Sequence, residues 1–451
     1  MSERVVIIGA GLAGMAAACQ LKAAGVPFTV LEARARAGGR IRTLHNYFDD
    51  GLFVDLGGEH VPNIHYRLQN YLARFKIAVI PQDNSNLQKV LWFQNRRIFM
   101  APGAPIQWPE GMQGVVAGKS PGDIEGGFIM PLLFEVGDPL DPGWPHDDGF
   151  RFDVPTADVL KSLGVSEHLM KLFELGLNSL DGEGFAVNSA LAQLASANSF
   201  RGYQSSGYIA GGSESLPQAM MRHLAGDIQF QEPVWAIEAQ ANRFRITHGE
   251  PRSTLECEHL VVAIPYSVLK DIAITPPFPE AKQAVVKELP NTSVSRTFLQ
   301  FSERVWEDIG LSGRADTDRI VMSVYPGLPA HTKVGILESY TAGKIARDLA
   351  GMKLEKRLEY ILADLDKLFP GARKCFQKSY TFDWDGEPWA KGAYAFYAAG
   401  QMKSFYRQAA APVGRMVFAG DHTTASPGWM ESALLSGERA ARQVLNSLGM
   451  T

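Results

Sequence analysis

The stretch Arg4-Val5-Val6-Ile7-Ile8-Gly9-Ala10-Gly11-Leu12-Ala13-Gly14 decides the fold. Four β-branched apolar residues in a row, ended by glycine, read as a short strand buried on both faces. From Leu12 to Ala24 the chain is rich in Ala, Leu and Met and lacks proline, which predicts a helix. Phe28 to Leu31 predicts a second strand, closed by Glu32. Strand, helix and strand in this order predict a doubly wound parallel sheet. The glycines between strand and helix fall in the spacing G-x-G-x-x-G. Gly9 allows a tight turn, Gly11 lets a pyrophosphate approach the backbone, and Gly14 lets helix and strand pack closely, with Leu12 and Ala13 between them. Unpaired N–H groups at the helix N-terminus favour an anion. Glu32 stands where a carboxylate accepts from ribose hydroxyls and repels a 2′-phosphate. A bound dinucleotide other than NADP is expected.

The bulk numbers narrow the class. A length of 451 residues allows two or three domain-sized units. The chain is 46% apolar and 20% charged, with net charge -4 and no basic run or basic–aromatic stripe, so nucleic acid is not expected as a partner. Cys19, Cys257 and Cys375 are too few and too scattered for a disulfide framework or a metal cluster, and no metal is expected. The apolar stretch from Val5 to Leu21 lacks a basic leader and is broken by glycines, so it is not read as a signal peptide. No later apolar run, Phe128 to Phe134 included, reaches the ~20 residues of a membrane helix. A cytoplasmic protein without a membrane partner is expected.

Further along, Pro81 to Phe152 is dense in Gly and Pro (Pro102, Pro105, Pro109, Pro121, Pro142, Pro145) and reads as loop-rich. Val159–Leu177 and Ser189–Ala197 read as helices, and Ile228–Ile246 and Leu260–Ile264 as sheet. Lys353–Leu368 carries Leu354, Leu358, Ile361, Leu362, Leu365 and Leu368 at helical spacing. Met416–Ala419 reads as a strand and Met430–Leu445 as a helix. Both ends of the chain therefore carry nucleotide-fold features. The expected architecture is α/β, with a cofactor domain assembled from residues 1–80, 205–270 and 390–451. An inserted substrate domain takes 81–204 and 271–389.

More motifs follow the first. Glu32-Ala33-Arg34 leads to Gly38-Gly39-Arg40 and Thr43, then to Asp55-Leu56-Gly57-Gly58-Glu59. Gly211 to Pro217 precedes Val234, and Ala263-Ile264-Pro265 follows. Near the end stand Phe418-Ala419-Gly420-Asp421, Pro427-Gly428-Trp429-Met430-Glu431 and Gly437-Glu438-Arg439-Ala440-Ala441. In this order they resemble the signatures of the FAD-containing amine oxidases, of monoamine oxidase or L-amino acid oxidase type. The resemblance implies a glutathione-reductase-like, FAD-binding Rossmann domain with an inserted α+β domain. It implies Arg40 near the pyrophosphate, the segment at Gly57, Gly58 and Glu59 passing the flavin, and the Val234 backbone at adenine. It implies Gly420 and Asp421 at the ribityl chain, and the helix start at Met430 facing the flavin pyrimidine.

Trp384, Gly392, Ala393 and Tyr394 stand in the spacing of the family's W…G-x-Y segment. The resemblance makes Tyr394 and Trp429 an aromatic cage before the flavin and places Trp384 beside the cofactor. Ala393 takes the position of the cysteine that bonds to flavin in monoamine oxidases, so non-covalent FAD is expected. Two positions depart from the family. Arg296, in Arg296-Thr297-Phe298-Leu299-Gln300-Phe301 before Trp306, replaces its flavin-facing lysine, and a planar guanidinium is no neutral exchange. His60, in Gly57-Gly58-Glu59-His60-Val61-Pro62, replaces the arginine that holds a substrate carboxylate, and serves there only when protonated. The expected reaction takes hydride from a small amine or L-amino acid to flavin N5, giving an imine that hydrolyses to a carbonyl product. Electrons pass to O2 or another acceptor, and a homodimer is compatible with the sequence. The alternatives are a flavin-dependent desaturase or isomerase acting on carbon, and a non-redox binding protein on the same fold.

Overall fold

In the computed structural model, which describes residues 3–82, 87–108, 116, 118–141, 143–327 and 332–450, the first apolar run is the strand Glu3–Ile8. It pairs in parallel with Phe28–Glu32 on one side and with the second half of Ser253–Val262 on the other. Ile228–Phe230 adds a parallel strand beyond Phe28–Glu32, and Met416–Phe418 another beside Leu260–Val262. Distant parts of the chain thus meet in one sheet. The first half of Ser253–Val262 turns instead into an antiparallel meander with Phe244–His248 and Val234–Ala239. The strand Ala273–Thr275 closes that edge, a few residues past the boundary expected at 270.

The strand pleat sends alternate residues to opposite faces. Val5 and Ile7 join one core, with the helix Leu12–Ala23 and the last helix, Met430–Ser447. Val6 and Ile8 join the other, with the helices Ala190–Ser199, Glu280–Glu288 and Gln401–Ala410. The two helices on the first face touch through backbone. A Cβ on Gly437 would lie 2.1 Å from the Ala13 carbonyl oxygen, and one on Gly14 only 1.9 Å from that of Gly9.

A second sheet has seven strands, in the order Phe376–Asp383, Val294–Phe301, Gly335–Ala342, Ser323–Pro326, Leu311–Thr317, Gln88–Phe93, Arg96–Met100. Ile361, Leu365 and Leu368 of the helix Leu354–Leu368 pack on its Leu299 and Phe301. A small sheet of His60–Pro62, Ser206–Ile209 and Val79–Pro81 sets His60 opposite Tyr208.

Two sequence expectations need correction. The loop-rich span Pro81–Phe152 contains the hairpin Gln88–Phe93/Arg96–Met100 and the helix Pro121–Val136. Pro121 sits at the start of that helix, where a missing N–H costs little, and Ser120 with Asp123 forms a capping box. Density of proline alone misread it. Pro109 and Pro142 lie outside the described residues. Val159–Leu177 is not one helix: Thr156–Ser162 and Glu167–Asp181 are separated at Gly164, which takes φ +82. No helix among the described residues is long and apolar enough to cross a membrane.

The helix contact yields a test in thermal or urea denaturation. Gly437→Ala is expected to destabilise the fold by about 1–3 kcal/mol, since backbone must move to admit a methyl group. Gly126, in the helix Pro121–Val136, has nothing within 4 Å of an added Cβ. Gly126→Ala should stabilise by up to about 1 kcal/mol through helix propensity. Equal stability of Gly437→Ala and the unchanged chain would refute the close contact.

Candidate active site

A cavity of about 470 Å³ is lined from both large sheets. At one end lie Gly9, Gly11, Leu12 and Ala13 of the first loop and helix, with Glu32, Ala33, Arg34 and Val234. The three glycines of the motif divide in role. Added Cβ atoms on Gly9 and Gly14 would collide with protein, whereas one on Gly11 meets nothing within 4 Å. Gly11 caps the helix in extended conformation, and its open side is the cavity. Gly14 is absent from the lining and serves packing alone.

Glu32 is 3% exposed; its Oε2 accepts from the Ala10 N–H at 2.8 Å and its Oε1 from the Arg34 N–H at 2.9 Å. Each carboxylate oxygen keeps a lone pair for another donor. The Arg34 side chain donates to Glu387 at 3.1 Å. Gly39 and Arg40 follow along the wall.

Midway, Arg40 reaches Asp421. The guanidinium Nη1 donates to Asp421 Oδ2 at 3.3 Å, Nη2 contacts Oδ1, and Nη1 also donates to the Ala393 carbonyl. The Gly428 N–H adds a bond to Asp421 Oδ2 at 2.9 Å. Burial works to raise the Asp421 pKa, but the Arg40 guanidinium and these hydrogen bonds outweigh it and hold the carboxyl lowered. The adjacent His422 is buried, and neither ring nitrogen has a hydrogen-bond partner. Burial pushes its pKa down to about 3, so the imidazole is neutral.

The far end is aromatic and charged. Trp384, 2% exposed, is fixed by its indole N–H donating to the Leu56 carbonyl at 2.8 Å. Tyr394 and Trp429 both line the cavity. The Tyr394 ring lies against Gly428, where a Cβ would come within 3.2 Å of it. Trp429 packs edge-on to His65 at 5.2 Å and against Phe200 at 4.7 Å. Gly57, Gly58 and Met430 complete the approach; a Cβ on Gly58 would sit 3.3 Å from the Met430 side chain.

Arg296 is buried, and four of its five N–H groups are engaged by protein. Its Nε and Nη2 grip the Glu338 carboxylate, Nη2 also donates to Glu59 at 2.8 Å, and Nη1 donates to the Gly57 carbonyl. Burial works against the Glu59 charge, yet Arg296 and His60 hold its pKa lowered. Burial raises Glu338 to about 7. His60 places Nε2 3.2 Å from Glu59, while Nδ1 has no partner. Burial, the largest effect, lowers the His60 pKa below its usual value despite Glu59. Lowering of this kind disfavours the imidazolium that a substrate carboxylate would need.

Sequence reasoning missed Glu338, Tyr340, Tyr325 and His422, all at or beside this cavity. Only Glu338 had a signal: a carboxylate in the apolar run Gly335-Ile336-Leu337-Glu338 requires a buried cation, and Arg296 is another charge inside a strand.

From residue 12 to residue 445 the sequence matches the family model described as flavin containing amine oxidoreductase. The L-amino-acid oxidase of Pseudechis australis is 26% identical over 460 residues, covering 98% of this chain and 86% of that one. A putative L-amino-acid oxidase, YobN, of Bacillus subtilis (strain 168) is 26% identical over 472 residues, with 98% and 94% covered. Two solved structures share the fold. Putrescine oxidase bound to putrescine has TM-score 0.85 at 21% identity, with 99% of both chains covered. Cyclohexylamine oxidase from Brevibacterium oxydans IH-35A has TM-score 0.87 at 21% identity, with 100% of both covered. A match that runs from the dinucleotide loop into the last helix leaves one conclusion: this chain belongs to the flavin-containing amine oxidoreductase family.

Proposed function

We propose that the chain is an FAD-dependent oxidase or dehydrogenase of small amines, cytoplasmic, with its cofactor held non-covalently. The observation that supports this reading is the continuity of the cavity. It joins the Gly11 loop, the Arg40–Asp421 pair and the rings of Tyr394 and Trp429 in one space. The residues fit the cofactor: open space at Gly11 for a pyrophosphate, a Glu32 carboxylate for ribose, and two unpartnered ring nitrogens on His422. Ala393 has no thiol to offer, and none of the three cysteines lines the cavity. The family match favours this reading over a flavoenzyme acting on carbon or a non-redox binding protein.

When bound, the flavin supplies the acceptor for the hydride that leaves the carbon beside the amine nitrogen. The product imine takes up water and gives a carbonyl compound with ammonia or an amine. The chain's own part is to bind, orient and dry the substrate. Tyr394 and Trp429 wall the space, and their faces attract a cationic amine at capture. Burial then lowers the amine's pKa toward the neutral form that reacts.

Between an amine and an amino acid, the charges here support the amine. Arg296 already serves two carboxylates, and burial works against a charged His60, so both are poorly suited to a substrate carboxylate. The electron acceptor follows the same logic. With Arg296 in the lysine position, flavin reduction is expected to outpace reoxidation by O2.

Two outcomes test the proposal. Anaerobic bleaching of the flavin band by paired amines and amino acids of equal side chain should favour the amine, and bleaching should run much faster than peroxide release. Peroxide release as fast as bleaching would count against the Arg296 argument; Arg296→Lys should narrow the gap. Gly11→Val should keep the far-ultraviolet spectrum of the fold and lose bound FAD, because its side chain enters open cavity. A yellow Gly11→Val protein with normal FAD content would place the cofactor elsewhere.

A further inference from the structure

Arg296 has five N–H donors, and protein hydrogen bonds use four of them. Register explains the grip. In the second sheet Arg296 opposes Tyr340, and Phe298 opposes Glu338, so all four side chains share one face of two adjacent strands. The Arg296 guanidinium lies over the Phe298 ring at 5.2 Å and the Tyr340 ring at 5.4 Å, framed from the sides. Glu338 is 3% exposed and takes the guanidinium with both oxygens, while Glu59 arrives from the segment that follows Gly57 and Gly58.

We propose that Glu338 is a positioning residue that sets the charge presented to the flavin: its hold on Arg296, completed by Glu59, cancels the arginine's cation at this wall of the cavity. The proposal rests on the reading of the cavity as a flavin site. One cation and two carboxylates sum to minus one, or to zero when Glu338 is protonated. The groups that face Glu338 electrostatically are Arg296, Glu59, Asp55, Tyr340 and Tyr208. Asp55 is tied to Thr43 and Ser213, and burial raises its pKa to about 6. Arg314 stacks on Tyr325 at 5.7 Å and donates to Tyr208 at 3.3 Å, and it does not line the cavity.

A cation beside a flavin stabilises negative charge on the ring, and a cancelled one does not. The arginine in the family's lysine position therefore presents no net positive charge to the cavity and keeps a fixed shape. Glu338 is what makes it so.

Sulfite tests this on the FAD-loaded protein, since it is an anion that adds to oxidised flavins and bleaches them in proportion to nearby positive charge. Glu338→Gln keeps the shape and removes the charge. At pH 8.5 (roughly a unit and a half above the value near which Glu338 takes up its proton), it should bind sulfite on the order of tenfold more tightly than the unchanged protein. The difference should close as pH falls below about 7, where Glu338 is itself neutral. Arg296→Gln should shift the affinity in the opposite direction, a sign reversal that loss of structure in both variants would not produce. The flavin midpoint potential should follow the same order. Equal sulfite affinity in the unchanged protein and Glu338→Gln, or shifts of the same sign in both variants, would overturn the proposal. A colourless unchanged protein that takes up no FAD would instead overturn the flavin reading beneath it.

Discussion

Two backbones meet without side chains between them where the first helix crosses the last, at Ala13 and Gly437. Only glycine fits that approach, and it fixes both helix N-termini relative to one sheet. Gly11 caps one helix and Trp429 the other, and both caps line the same cavity. The Gly9–Gly14 loop and Trp429 are more than four hundred residues apart in sequence, yet this contact brings them to one cavity. The strand Met416–Phe418, paired beside Leu260–Val262, holds the same relation from within the sheet.

Within that frame, several charges along the cavity are settled against protein partners. Arg34 meets Glu387, Arg40 meets Asp421, and Arg296 meets Glu59 and Glu338. Buried pairs of this kind contribute little net stability, because desolvation offsets much of the attraction, but each becomes costly when one partner is lost. The side chains are held by one another, and among the described residues every arginine that lines the cavity has a carboxylate partner. The end of the cavity at Tyr394 and Trp429 presents aromatic faces and hydrogen-bonding groups.

The glycine loop that lines one end of the cavity was legible because its information is local. Gly9, Gly11, Gly14 and Glu32 fall within one strand–helix–strand unit, Glu3 to Glu32, and spacing alone assigns each a position. The split among the glycines was legible in the same spacing, and the fold agrees: Gly14 packs against the Gly9 backbone and the Ala263 side chain, while Gly11 faces open space. The region from Pro81 to Phe152 was misread because proline carries opposite meanings at a helix start and in a loop, and the capping box at Ser120 and Asp123 decides between them.

By itself, the sequence determined a parallel sheet built around Val5 to Ile8, the glycine-rich turn from strand to helix and the family to which the chain belongs, because each is written in neighbouring residues. Tertiary structure alone decided the electrical state of the far end. Glu338 lies 42 residues from Arg296 along the chain and Glu59 lies 237 away. Charge cancellation is a matter of ångströms in space, and nothing in the spacing of a sequence measures that distance.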